Sequence, residues 1–295
     1  MNLLVIDWDF FFPTPTAGAP LGEHPELYAW PVAEDAVHVE AIWLRRVRAF
    51  IKAAVPLPQC HGFSGFWNRF NIAPQATLFY AESNAWASQI FPSNLGGSGP
   101  WRSVHLYDAH HDCGYKLNDR SFEDWRGGVL SGRKKIGAEN WMLAHYWNGS
   151  QVFVHFPSWR ESMARPSEQP LIPVSMTIDN GQAPDVVFTS VFLCRSGAWV
   201  PPWCDAQFGD FLAACPVARR VEMPQNQWTQ PRPDVLRMVE LADRMKMSPG
   251  LTSTDGTSER RERGALHGDR SYTDEHGPQF PPDSRTGGHR RCEPA

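Results

Sequence analysis

Two short apolar runs in this chain each stop dead on a group of acids, and that pattern restricts the fold more than any other feature. The first is Leu3-Leu4-Val5-Ile6, which meets Asp7-Trp8-Asp9 within an apolar stretch running from Leu3 to Phe12. The second is Val104 to Tyr107, which meets Asp108-Ala109-His110-His111-Asp112. Runs this short and this apolar read as strands buried on both faces, the habit of a parallel sheet covered by helices. Further runs fit the same scheme: Thr77 to Ala81, Gln151 to Phe156, Val174 to Ile178 and Val186 to Cys194. Between them lie segments of helical spacing. Ala33 to Val55 carries Val37, Ile42, Trp43, Val47, Phe50 and Ile51 on one face and is stopped by Pro56 and Pro58; Glu139 to Trp147 is a shorter helix and Asp234 to Met247 a last amphipathic one. Strands alternating with helices predict an α/β fold, three layers deep, with a mainly parallel sheet. The domain is expected to span residues 1–247. Residues 248–295, rich in Gly, Pro, Ser, Arg and Asp and nearly devoid of aliphatic side chains, are expected to form a disordered tail.

Charge and composition then narrow the function. Lys plus Arg number 28 and Asp plus Glu 32, a net charge of −4, which argues against a chain that coats nucleic acid or an anionic membrane. Trp is frequent at 13 residues and Pro at 26, which points to rigid loops and aromatic-lined surfaces rather than a helical bundle. No run is long and apolar enough for a membrane span. The start, Met1-Asn2-Leu3-Leu4-Val5-Ile6-Asp7, has no basic region ahead of its apolar residues, unlike a signal peptide. Cys60, Cys113, Cys194, Cys204, Cys215 and Cys292 are scattered with no Cys-x-x-Cys pair, so they read as reduced thiols and the chain as cytoplasmic.

The acids carry the chemistry. In an extended chain Asp108, His110 and Asp112 project to one side, and so do Asp7 and Asp9. Ligands of an open parallel sheet gather outside the carboxyl ends of its strands. If the two strands are neighbours, Asp7, Asp9, Asp108, His110 and Asp112 converge, and carboxylates so close repel unless a cation sits among them. The expected cofactor is a divalent metal, Mn or Zn. The competing reading is that these acids are solvated or cap the next segment. His111 falls on the other side of an ideal strand; it is either a proton shuttle that turns inward or a structural histidine. Glu139 could accept a hydrogen bond from a cationic substrate nitrogen and Asn140 could steady a ligand carboxylate, or the pair could simply open a helix. Arg195, in a loop fixed by Gly197, Pro201 and Pro202, could clamp a substrate carboxylate, with Trp199 and Trp203 walling a pocket, or the loop could merely cover the core.

These motifs resemble those of the arginase/deacetylase (ureohydrolase) superfamily, which binds metal through an Asp-x-His-x-Asp strand end and an Asp-x-Asp strand end. The chain is most similar to a branch known as uncharacterised protein family 0489, at Ile6-Asp7-Trp8-Asp9-Phe10-Phe11, at Glu139-Asn140-Trp141 followed by a strand and Pro157-Ser158-Trp159, and at Pro201-Pro202. The resemblance covers most of residues 1–215 and implies an arginase/deacetylase-like sheet. It implies a hydrolase that attacks a non-peptide carbon–nitrogen bond, in an amidine or amide small molecule, with metal-activated water. The chain departs from the pattern twice. Its Asp-x-Asp strand precedes the Asp-x-His-x-Asp strand, which implies a permuted strand order. A further histidine ligand expected before Asp108 is not evident, and Glu82 or Asn84 falls nearest to its place. Two other functions compete: a non-catalytic module that binds a metal or a partner on the same fold, and a haloacid-dehalogenase-like phosphatase, whose opening Asp-x-Asp this chain shares without the small hydroxylated residue that should follow.

Overall fold

The computed structural model describes residues 1–13, 36–115, 123, 126–129, 136–160 and 169–223. Seven strands form one sheet: β1 (Asn2–Asp7), β2 (Asn71–Ala81), β3 (Ser103–Tyr107), β4 (Gln151–Phe156), β5 (Ser175–Ile178), β6 (Val187–Cys194) and β7 (Arg219–Glu222). Their order across the sheet is β5-β4-β3-β1-β6-β2-β7, and every pair is parallel. Among the described residues, the helices that pack on the sheet include α1 (Ala36–Ala53), α2 (Met142–Trp147) and α3 (Asp205–Ala214).

Alternation along the strands explains how the helices are placed. On β1, Leu4 and Ile6 join one core with Trp43, Val47 and Phe50 of α1 and Phe208 and Phe211 of α3. Leu3 and Val5 join a second core on the opposite face with Met142, Leu143 and Ala144 of α2. All four β1 side chains are fully buried, as a strand covered on both faces requires. The α/β reading and the parallel sheet therefore hold, with helices on both faces.

The chain leaves β1 toward β2 on one side of the sheet and leaves β3 toward β4 on the other. β1 and β3 are neighbours, so the crevice at their carboxyl ends is the switch point where open α/β sheets gather ligands.

Several expected elements change shape. The apolar stretch from Leu3 to Phe12 is a strand only as far as Asp7, after which Trp8–Phe11 winds into a 3-10 turn. Aromatic packing drives that turn: the Trp8 ring lies 5.1 to 5.6 Å from those of Phe11, Phe63, Phe208 and Phe211. β2 begins at Asn71, earlier than expected; its first residues pair with β6 ahead of an irregularity between Ile72 and Thr77, around Pro74, which has no amide hydrogen to donate. The expected helix from Glu139 divides into a 3-10 turn, Ala138–Asn140, and α2. α3 and β7 were not expected; β7 reads Arg-Arg-Val-Glu and is mostly exposed, an edge strand too polar to show as an apolar run. The expected helix at Asp234 to Met247 and the tail at 248–295 lie outside the described residues. No described helix is long and apolar enough to cross a membrane, and all five described cysteines are buried free thiols.

Candidate metal centre

Register brings the two acid groups together. Ile6 pairs with Tyr107, so Asp7 and Asp108 leave adjacent strands side by side. Neither group stays extended beyond that point, contrary to the alternation expected from the sequence. Asp9 sits in the turn after β1, where Asp7 Oδ1 accepts from Asp9 N at 3.2 Å. Asp7 thus caps the turn as well as facing the crevice. Asp112 takes a left-handed backbone with φ 48°, which turns its carboxylate back toward the cluster. Convergence comes from two tight turns at strand ends, not from strand pleating.

Two groups of three side chains could each hold a metal ion. One is Asp9, Asp108 and His110, the other Asp7, Asp108 and Asp112; within each, one ligand atom per residue lies within 4.8 Å of the others, and Asp108 belongs to both. All five expected ligands are therefore placed together. His110 Nδ1 lies 2.9 Å from Asp9 Oδ2 and 3.4 Å from Asp108 Oδ1. Backbone amides steady the carboxylates: Ala109 N donates to Asp9 Oδ1 at 3.2 Å and His110 N to Asp108 Oδ1 at 2.7 Å. Trp141 Nε1 donates to Asp112 Oδ2 at 2.7 Å, and Asn84 Nδ2 reaches Asp7, Asp108 and Asp112 together.

The four carboxylates are at most 6% exposed, so their charges interact with little screening. Burial, and then the charges of Asp9, Asp112 and Asp7, hold the Asp108 carboxyl well above its usual range. Burial, then Asp9 and Asp112, do the same to Asp7, while hydrogen bonds from Asp9 N and Ser196 oppose the rise. Asp112 is pushed up to about 6 by burial, against the pull of His110, Trp141 and Asn84. Burial lowers His110's affinity for a proton, yet the carboxylates of Asp9 and Asp112 overcome it, so the imidazole's pKa is raised. The carboxyl shifts come first from burial and then from neighbouring acids, and the His110 shift comes from those acids against burial. A divalent cation is the ligand that such a donor set fits. Asn84 turns its amide nitrogen to these carboxylates, and its Oδ1, at the other end of the amide, is buried with no hydrogen-bond partner.

The remaining expected residues are placed differently from one another. Trp199 packs over His110 with ring centroids 4.5 Å apart, so it covers the centre. Its loop is held by α1, through Trp43 Nε1 on Gly197 O at 2.8 Å and Arg46 on Ala198 O at 3.1 Å. Arg195 folds back onto that loop: Nε donates to Asp205 Oδ1 at 2.6 Å, and the two terminal nitrogens donate to the carbonyls of Val200 and Pro201 at 3.1 Å each. His111 Nδ1 accepts from Cys113 N at 3.0 Å and its ring lies 4.6 Å from that of Tyr115, outside both ligand groups. Glu139 is exposed on the Ala138–Asn140 turn, and Asn140 Oδ1 accepts from Gly137 N at 2.9 Å to close that turn.

Trp141 and Arg160 are site residues to which the sequence reading gave no role. A fully buried indole needs an acceptor for its N–H, and the acids were the available ones. Arg160 follows β4, the neighbour of β3; it donates to Ala109 O, lies 3.8 Å from the Phe156 ring centroid, and its charge works against protonation of His110. The strand-end rule that found the acids would also have found it. No family model, no curated protein and no solved structure matches this chain.

Proposed function

We propose that this chain is a metal-dependent hydrolase acting on a non-peptide carbon–nitrogen bond, an amidine or an amide, as its resemblance to the arginase/deacetylase superfamily implies. The observation that carries the reading is the pair of ligand groups sharing Asp108 at the switch point of the sheet. Asp7, Asp9, Asp108, His110 and Asp112 would hold one or two Mn or Zn ions. A bound ion supplies water whose pKa is near neutral and a Lewis acid facing the carbon under attack. The chain supplies the rest. Trp141 fixes the Asp112 carboxylate, and the backbone amides of Ala109 and His110 fix those of Asp9 and Asp108. Trp199 covers His110 and leaves an apolar wall for a small substrate. Arg195 is committed to Asp205 and its own loop, so substrate recognition falls to other groups.

A non-catalytic metal-binding module is the second reading, and Asn84 favours it: an amide rather than an imidazole stands beside Asp7, Asp108 and Asp112. The experiment is metal analysis of the wild type, Asp108→Ala and His110→Ala, followed by a panel of guanidino compounds, acyl amides and an aryl phosphate. Metal in the wild type, its loss in both variants and turnover of an amidine or amide support the hydrolase. Metal without turnover favours the module, turnover of the phosphate alone a phosphatase. Full metal content in both variants refutes the site.

A further inference from the structure

Asn84 opens the 3-10 turn Asn84–Gln89 just beyond β2, where Ser83 Oγ accepts from Ala85 N at 3.2 Å. It is 2% exposed. Its amide nitrogen lies 2.6 Å from Asp7 Oδ2, 2.8 Å from Asp112 Oδ2 and 3.3 Å from Asp108 Oδ2. The other end of the amide, Oδ1, is buried with no hydrogen-bond partner. Two N–H bonds thus face three carboxylates, while a buried acceptor goes unused, an arrangement that is costly.

Half a turn about Cβ–Cγ exchanges the two ends of the amide and brings the unused acceptor to the carboxylates, provided a cation enters between them. The spacing suits that exchange. In an octahedral oxygen shell with bonds of about 2.1 Å, adjacent oxygens stand about 3.0 Å apart. The Asn84 atom that faces the carboxylates is 2.6 to 3.3 Å from their oxygens, so it marks a corner of such a shell rather than its centre. We propose that Asn84 is the fourth protein ligand of a hard-cation site formed with Asp7, Asp108 and Asp112, its amide turning end for end so that Oδ1 faces the ion.

This inference rests on the metal reading above and adds a chemical distinction to it. The two ligand groups become unequal. Asp7, Asp108, Asp112 and Asn84 offer oxygen only, which suits Mn or Mg. Asp9, Asp108 and His110 include an imidazole, which suits Zn as well. In the metal-free protein the amide N–H group damps the repulsion among the same three carboxylates, so Asn84 serves both states.

The test uses the full chain, freed of metal by chelation and titrated with Mn by calorimetry, with stoichiometry checked by elemental analysis. The wild type is expected to bind two Mn. Asn84→Ala is expected to bind one at its original affinity and the second at least tenfold more weakly. Asn84→Asp, which presents oxygen at either rotation, is expected to bind both. It is also expected to gain a larger rise in melting temperature on Mn addition than the wild type, because its metal-free state holds one more buried charge. The aspartate variant carries the test if the alanine variant does not fold. Two Mn at wild-type affinity in a folded Asn84→Ala, or a folded Asn84→Asp that has lost the second ion, overturns the role of Asn84 and leaves the centre itself standing. A wild type that binds neither Mn nor Zn overturns both.

Discussion

Asp112→Asn should stabilise the metal-free protein. The carboxyl of Asp112 is moved from an ordinary 3.8 to about 6, chiefly by burial. A raised carboxyl pKa means that the folded chain holds the proton more tightly than the unfolded one. Its contribution to stability is therefore complete below pH 4 and is lost as pH rises through 6, a loss of about 3 kcal/mol from the size of the shift. Asparagine removes that loss and little else. It keeps an oxygen for Trp141 Nε1 and Asn84 Nδ2, and it tolerates the left-handed backbone at this position at least as well as aspartate. Urea unfolding in chelator should show the variant more stable by up to about 3 kcal/mol at pH 7.5, with the difference closing toward pH 4. Saturating Mn should reverse the order, since the wild type alone keeps the Asp112 charge facing the ion. A variant that is less stable at pH 7.5 in chelator, or a difference that widens on acidification, would refute the argument that burial of the ionised Asp112 carboxyl costs the metal-free fold stability.

Two further outcomes follow from groups outside the ligand sets. His145 is fully buried, its Nε2 is 2.9 Å from Ala87 O, and burial lowers its pKa to about 4. The unfolded chain takes up this proton near pH 6.5 and the folded chain resists until about 4, so stability should fall by about 3 kcal/mol as pH drops through that window. His145→Gln should flatten that part of the pH–stability curve, and an unchanged slope would assign it to other groups. Arg195→Met leaves Asp205 and the carbonyls of Val200 and Pro201 without their donor, which should cost about 3 kcal/mol in thermal or urea unfolding. A raised KM at unchanged stability would instead mean that Arg195 clamps substrate.

What could be read from the sequence divides along a physical line. Short apolar runs declare strands buried on both faces, and acids at their ends declare a charged crevice, because both are local consequences of burial. The five residues of the cluster were legible for that reason. The path by which they converge was not: aromatic packing around Trp8 and a left-handed Asp112 decide it, and those depend on residues far away in the chain, such as Phe208 and Phe211. Asn84 and Glu82 were marked only by their place in the chain; the contact between Asn84 and three carboxylates is tertiary. The pocket residues Arg195 and Trp199 come from one loop and show the same limit. Each is a plausible substrate contact by type, yet only the ring of Trp199 reaches the centre, while Arg195 is spent within the loop.

The position of β1 in the sheet bears on how the centre comes into being. Asn2 pairs with Ser103 on one edge of the strand, and Leu3 with Ser190 on the other. β1 is made well before these two partners and waits for them, and such distant pairings are slow to form. During synthesis Asp7 and Asp9 emerge long before Asp108 and His110, and the loop that brings Ser196 and Trp199 over them arrives later still. Assembly of the acidic cluster is accordingly a late event in the life of the nascent chain, and a chain interrupted before β6 lacks the neighbour that completes the hydrogen bonds of β1.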